Sequence, residues 1–194
     1  MTDSTIALIA GLGNPGGQYT ETRHNAGFWF LDALEKAYGF SLSEDKRYKG
    51  KTGSFSLQGK TIRVIAPQTF MNLSGDSVIP FSRFYRIPPE QILVAYDELD
   101  LDAGSARLKL DGGHGGHNGL RDIMQKSSAK NMKRLRIGIG HPGDSRKVSG
   151  YVLSKPSKDD YIAIENAISR AVGVLPSIVA GDISSAMNTL HTDG

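Results

Sequence analysis

Two short, unbroken apolar runs constrain the fold most. Residues 5–10 lead into Gly11-Leu12-Gly13-Asn14-Pro15-Gly16, and residues 92–96 stop at Asp97-Glu98-Leu99-Asp100. Runs this short, apolar and β-prone fit strands covered on both faces, because a strand with one wet face alternates. Helical spacing of apolar residues appears over 28–38, ending at Gly39, and over 120–126. It also appears over 74–85, with Ser74 as the expected N-cap and Pro80 as a kink, and over 157–178, where Gly173 and Pro176 weaken the end. Residues 53–57 and 61–66 flank Gln58-Gly59-Lys60 as a hairpin, and 106–110 and 135–139 read as further strands. Strands alternating with helices predict an α/β fold, with a mixed, mainly parallel twisted sheet flanked by helices on both faces. No linker or repeat divides residues 1–194, so a single domain is expected. Ligands of such sheets gather beyond the carboxyl ends of the strands, where Asn14 and Asp97 are both expected.

Composition narrows the chemistry. The chain has no cysteine, which excludes disulfides, thiolate catalysis and cysteine zinc sites, and suits a reducing compartment. The apolar stretch 6–12 follows Asp3 and is far too short to span a bilayer, so neither a signal peptide nor a membrane helix is expected and the predicted location is cytoplasmic. The net charge of +3 hides an asymmetry. Residues 103–158 hold 12 Lys/Arg against Asp111, Asp122 and Asp144, a net of +9, and the rest of the chain is −6. Such a block attracts a polyanion, although a solvated basic face reads the same way.

The side chains suited to chemistry sit in glycine-bearing stretches. These are Asn14 in the first turn, His24 and Asn25 in Thr22-Arg23-His24-Asn25-Ala26-Gly27, and His114, His117 and Asn118 in the segment from Gly112 to Gly119. Imidazole moves a proton near neutral pH, and a carboxamide both donates and accepts. Gly11, Gly13 and Gly16 satisfy the dinucleotide pattern, but Pro15-Gly16-Gly17 postpones the helix that would hold a pyrophosphate, which argues against a nucleotide cofactor. Work by His24 as a general base needs an acceptor such as Asp97 to fix its tautomer. The acids of 97–102 with His114 and His117 also allow a metal-dependent hydrolase, though their spacing matches no strong metal signature. His141 and His191 read as structural or solvent-facing. In Thr69-Phe70-Met71-Asn72-Leu73-Ser74-Gly75, packing explains Phe70 and Met71, whereas a buried Asn72 needs partners at both ends of its amide.

Taken in order, GLGNPG, TRHNAG, TFMNLSG, DELDL and GGHGGHNGL closely resemble the bacterial peptidyl-tRNA hydrolase family, with the likeness running from about Ile6 to Leu153. Asp102 replaces the proline usual after DELDL, and Asp111 interrupts what is often a longer glycine run. The resemblance implies hydrolysis of the ester joining peptide to tRNA, without metal or cofactor, by a monomer with no obligate protein partner. It makes His24 the base for water and Asp97 its orienting partner. Asn14, Asn72 and Asn118 would hold the peptide end and carbonyl, Tyr19 and Phe70 would line the cleft, and Met71 and His117 would support them. Arg107, Lys109, Arg136 and Arg146 are the expected contacts to tRNA phosphates. A non-enzymatic RNA-binding protein is the rival from another class.

Overall fold

The computed structural model describes residues 5–192. Seven strands form one sheet: β1 (Leu8–Gly11), β2 (Ser43–Asp45), β3 (Gly50–Leu57), β4 (Lys60–Pro67), β5 (Ile92–Glu98), β6 (Ala106–Lys109) and β7 (Lys133–Gly138), in the spatial order β2-β3-β4-β1-β5-β7-β6. The four central strands β4, β1, β5 and β7 are parallel, and antiparallel pairings close both edges. The mixed, mainly parallel sheet expected from the apolar runs is therefore present. Among the described residues seven α-helices accompany it: α1 (Ala26–Tyr38), α2 (Gly75–Phe84), α3 (Asn118–Ser127), α4 (Val148–Val152), α5 (Lys158–Gly173), α6 (Leu175–Val179) and α7 (Ile183–Thr192).

The two apolar runs bury residues on both faces by strict alternation. Ile9, Leu93 and Ala95 pack in one cluster with Phe30 and Leu34 of α1 and Ile164 and Ile168 of α5. Leu8, Ala10, Ile92, Val94 and Tyr96 pack in the other with Val78 of α2 and Leu120 and Ile123 of α3. Period-2 side chains feed two cores because helices cover both faces.

Four expectations need correction. The hairpin turn holds two residues, not three: Leu57 pairs with Lys60, while Gln58 and Gly59 take φ of 55° and 73°, the left-handed pair that matches strand twist. Ser74 precedes α2 but does not cap it. It already has helical dihedrals, its Oγ donates to the Met71 carbonyl at 2.7 Å, and the Gly75 amide is met instead by Asp122 Oδ2 of α3 at 2.8 Å. The helix read over 157–178 is two helices, broken at Val174 with Pro176 in the first turn of α6, where a missing N–H costs nothing. Elements β2, α4 and α7 were not anticipated; α7 docks on β6 through His191 Nε2, which accepts the Leu108 amide at 3.0 Å.

Topology sets where the site lies. The chain leaves β1 for β4 on one side and then crosses to β5 on the other, so the carboxyl ends of β1 and β5 form a switch point. Gly27, in the first turn of α1, is pressed onto that place. A Cβ there would lie 2.4 Å from the Leu12 amide nitrogen and 2.5 Å from the Ala95 carbonyl oxygen, so only glycine lets the helix approach the two strand ends.

Candidate active site

His24 lies in a 3-10 turn, Arg23–Asn25, immediately before α1. The turn is clamped from outside. Arg23 donates through Nη1 to the Tyr151 carbonyl at 3.0 Å and to Ser154 Oγ at 2.6 Å, and its guanidinium lies 3.8 Å over the Tyr151 ring. His24 is thus directed inward, where its Nδ1 lies 2.8 Å from Asp97 Oδ2 near the carboxyl end of β5. The other carboxylate oxygen, Oδ1, is 2.8 Å from His117 Nε2. Asp97 is 2% exposed at its side chain, between imidazoles that are 12% and 7% exposed.

Burial pushes the Asp97 carboxyl up, but the electrostatic pull and hydrogen bonds of the two imidazoles outweigh it and hold the group well below the ordinary carboxylate range. Burial lowers the His24 imidazole, and the Asp97 charge and hydrogen bond more than reverse this, leaving it raised. An ionised Asp97 accepts only, so His24 Nδ1 carries the proton and its Nε2 lone pair is free to take one from water.

Asn14 stands on the other side of this turn and is 7% exposed. Its Oδ1 accepts the Met71 amide at 2.8 Å, so the oxygen end of the carboxamide is spoken for and the Nδ2 donors are the end offered to a ligand. A cavity of about 530 Å³ adjoins Asn14 and is lined by Pro15, Gly16, Thr20, Phe28, Trp29 and Gln68. It runs along α1, and the His24 and Asp97 side chains do not line it.

These features acquire a family context from comparison. The family model described as Peptidyl-tRNA hydrolase matches residues 8–194. The chain belongs to the peptidyl-tRNA hydrolase family. It is 53% identical over 187 residues to the peptidyl-tRNA hydrolase of Alcanivorax borkumensis, covering 96% of each chain. It is 52% identical over 188 residues to that of Acinetobacter baylyi, covering 97% of each. A crystal structure of peptidyl-tRNA hydrolase from Acinetobacter baumannii superposes with a TM-score of 0.95 at 49% identity, covering 98% of this chain and 97% of that one. The peptidyl-tRNA hydrolase fold is thus shared over almost the whole length.

Within this peptidyl-tRNA hydrolase framework the expected site residues divide. His24, Asp97 and His117 form one hydrogen-bonded group, and Asn14 with the Met71 amide forms another. Tyr19 belongs to the loop between Asn14 and His24, where its carbonyl accepts Thr22 Oγ1 at 2.8 Å. Phe70 is 59% exposed, and Asn118 is exposed at the start of α3. Asn72 is exposed as well, so water can satisfy its amide and no buried partners are needed. The metal grouping also needs revision. Asp100 and Asp102 lie in the exposed turn after β5, and the clustered donors are instead His24, Asp97 and His117, with ligand atoms within 4.8 Å of one another.

The basic block is less uniform than its charge suggests. Arg136 Nε is paired with Glu98 at 2.8 Å and Arg146 Nη2 with Asp144 at 2.9 Å, whereas Arg107 is exposed on β6 and Lys109 half-buried beside Gly112. Arg134 is fully buried, and its guanidinium donates to the carbonyls of Gly112, Gly113 and Lys130. It therefore straps down the glycine loop leading to His117 rather than facing solvent. The sequence assigned no role to Asn25, which clasps the Asn14 loop, and did not single out Arg134. Asn25 could have been suspected from its place beside His24. Arg134 could not, because a cation in a charged block reads as surface.

Proposed function

We propose that this protein hydrolyses the ester between peptide and tRNA in peptidyl-tRNA, with His24 as general base and Asp97 as its orienting partner. The observation that carries the mechanism is the 2.8 Å contact between His24 Nδ1 and the buried Asp97 carboxylate, which leaves His24 Nε2 as the available base. Water loses its proton to Nε2 as its oxygen attacks the acyl carbon, and the imidazolium returns a proton to the departing ribose oxygen. An ester already has a good leaving group, so oriented water and neutral donors suffice.

Asn14 supplies the discrimination. The acylated nitrogen of the substrate brings with it a carbonyl oxygen, and Asn14 offers an N–H donor to it, because its own oxygen is taken by Met71. A free ammonium placed there would meet another donor and lose its hydration without a counter-charge. Unblocked aminoacyl-tRNA is thereby spared. Asn72 and Asn118, both exposed, hold the peptide end and its carbonyl, while Phe70, which is exposed, and Tyr19, in the loop between Asn14 and His24, line the cleft. Arg107 and Lys109 contact phosphates, joined at the rim by Arg136 and Arg146. No helix among the described residues is long and apolar enough to cross a membrane. The reading is completed by a single-domain cytoplasmic monomer that uses no cofactor.

The deciding experiment follows peptide release from a peptide-blocked aminoacyl-tRNA. His24→Ala is expected to lower the rate by about 10²–10⁴-fold. Unchanged turnover would overturn the assignment. Binding of tRNA without any release by the wild type would support an RNA-binding protein, and loss of activity with EDTA a metallohydrolase.

A further inference from the structure

His117 is held by two opposed hydrogen bonds. Its Nδ1 accepts the Leu120 amide at 3.3 Å, serving as N-cap of α3, and its Nε2 faces Asp97 Oδ1 at 2.8 Å. A nitrogen that accepts an N–H carries no proton, so the proton of the neutral ring must sit on Nε2 and be donated to Asp97. The ring is thus fixed as one tautomer, and its tilt is set by edge packing on Tyr96 with centroids 4.9 Å apart.

We propose that His117 is a positioning residue that sets the basicity of His24 through the carboxylate they share. This proposal rests on the reading of His24 as the general base. The His117 N–H dipole points its positive end at Asp97, so the carboxylate is divided between two donors and holds a proton on His24 less firmly than an undivided one. It also fixes the rotation of the carboxylate, aiming Oδ2 at His24. The two rings stand 5.2 Å apart with planes inclined by 51°, one on each oxygen of the carboxylate.

Other ionisable groups around the pair are otherwise engaged. Arg23, on the same turn as His24, turns its guanidinium onto Tyr151, whose hydroxyl donates to the Ile139 carbonyl at 2.6 Å. The first turn of α1, Ala26-Gly27-Phe28, carries no titratable side chain. Glu98, next to Asp97, is paired with Arg136, and His114 Nδ1 accepts the Gly116 amide at 3.0 Å. Burial chiefly pushes the Tyr96 phenol up to about 12, so it is neutral beside His117. Glu21 and Lys155 pair with each other at the exposed rim.

The test follows the His24 ring by NMR across a pH titration, together with the pH profile of kcat/KM, in three proteins. His117→Asn keeps an acceptor for the α3 amide but is too short to reach Asp97. His117→Gln returns an amide N–H near the place of Nε2. His117→Asn should raise the His24 titration and the acid limb of the profile together by about one pH unit, and His117→Gln should bring both back toward the wild type. If His24 titrates alike in all three while activity falls equally at every pH, His117 merely packs and the proposal is overturned. The NMR titration reads the coupling directly, so this failure is distinct from failure of His24 as the base, which His24→Ala decides.

Discussion

Asn14 and Asn25 clasp each other by a reciprocal pair of hydrogen bonds. The Asn14 amide donates to Asn25 Oδ1 at 2.8 Å, and Asn25 Nδ2 donates to the Asn14 carbonyl at 3.0 Å. Asn25 immediately precedes α1 yet does not cap it, because its side chain is spent on the neighbouring loop. Two loops that carry different parts of the proposed chemistry are thereby locked together. Asn25→Ala should strand a buried donor and a buried acceptor, at about 1–3 kcal/mol each. A urea titration checks the stability. Blocked and unblocked substrates should become less well distinguished, as the ratio of their kcat/KM values will report.

Asn14→Asp isolates the selectivity. A carboxylate retains an oxygen for the Met71 amide but replaces the N–H donor with negative charge, which repels a carbonyl and welcomes an ammonium. Turnover of the blocked substrate should fall and that of free aminoacyl-tRNA should rise relative to it. Unchanged discrimination in paired assays removes Asn14 from this role.

The His24–Asp97 pair should stabilise the fold and catalyse in different pH ranges. His24 is raised in the folded state, so its stabilising contribution is present below its unfolded value of about 6.5 and is lost as pH rises through the higher folded value. Asp97 is depressed, so its contribution is present above about 4 and is lost as pH falls through the lower folded value. The pair therefore stabilises most between about 4 and 6.5. Activity requires neutral His24 and should rise only above the raised value. Thermal unfolding of Asp97→Asn against wild type should show its greatest deficit within that acidic window, and the acid limb of its residual activity should move down.

Salt should separate the basic residues by their partners. Binding of full tRNA is expected to weaken steeply with salt and binding of a short ester mimic only slightly. Arg107→Ala and Lys109→Ala should each reduce the logarithmic salt slope by about 1. Arg146→Ala should do less because Asp144 already shares its charge, and Arg136→Ala should also lower stability by stranding Glu98.

The unbroken apolar run of 92–96, the turn at Gly59 and the stop at Gly39 were legible because each depends on neighbours in sequence. Element α7 was not, since its polar and small residues are drawn into a helix by Ala186 and Leu190 packing on a distant core. The break at Val174 was legible only as a weakening at Gly173 and Pro176, because apolar spacing continues across it. At the site, the residue types of Asn14, His24 and Asp97 could be read, but the contact across 73 positions between His24 and Asp97 is a product of topology. The direction of the Asn14 amide depended on Met71, 57 positions away.

The close seating of Gly27 against Leu12 and Ala95 means that the separation of base and acid is dictated by main-chain contact rather than by the choice of side-chain rotamers. Adding a single methyl group at that point would drive the histidine-bearing turn away from its carboxylate, disabling chemistry with a residue that has no reactive atom.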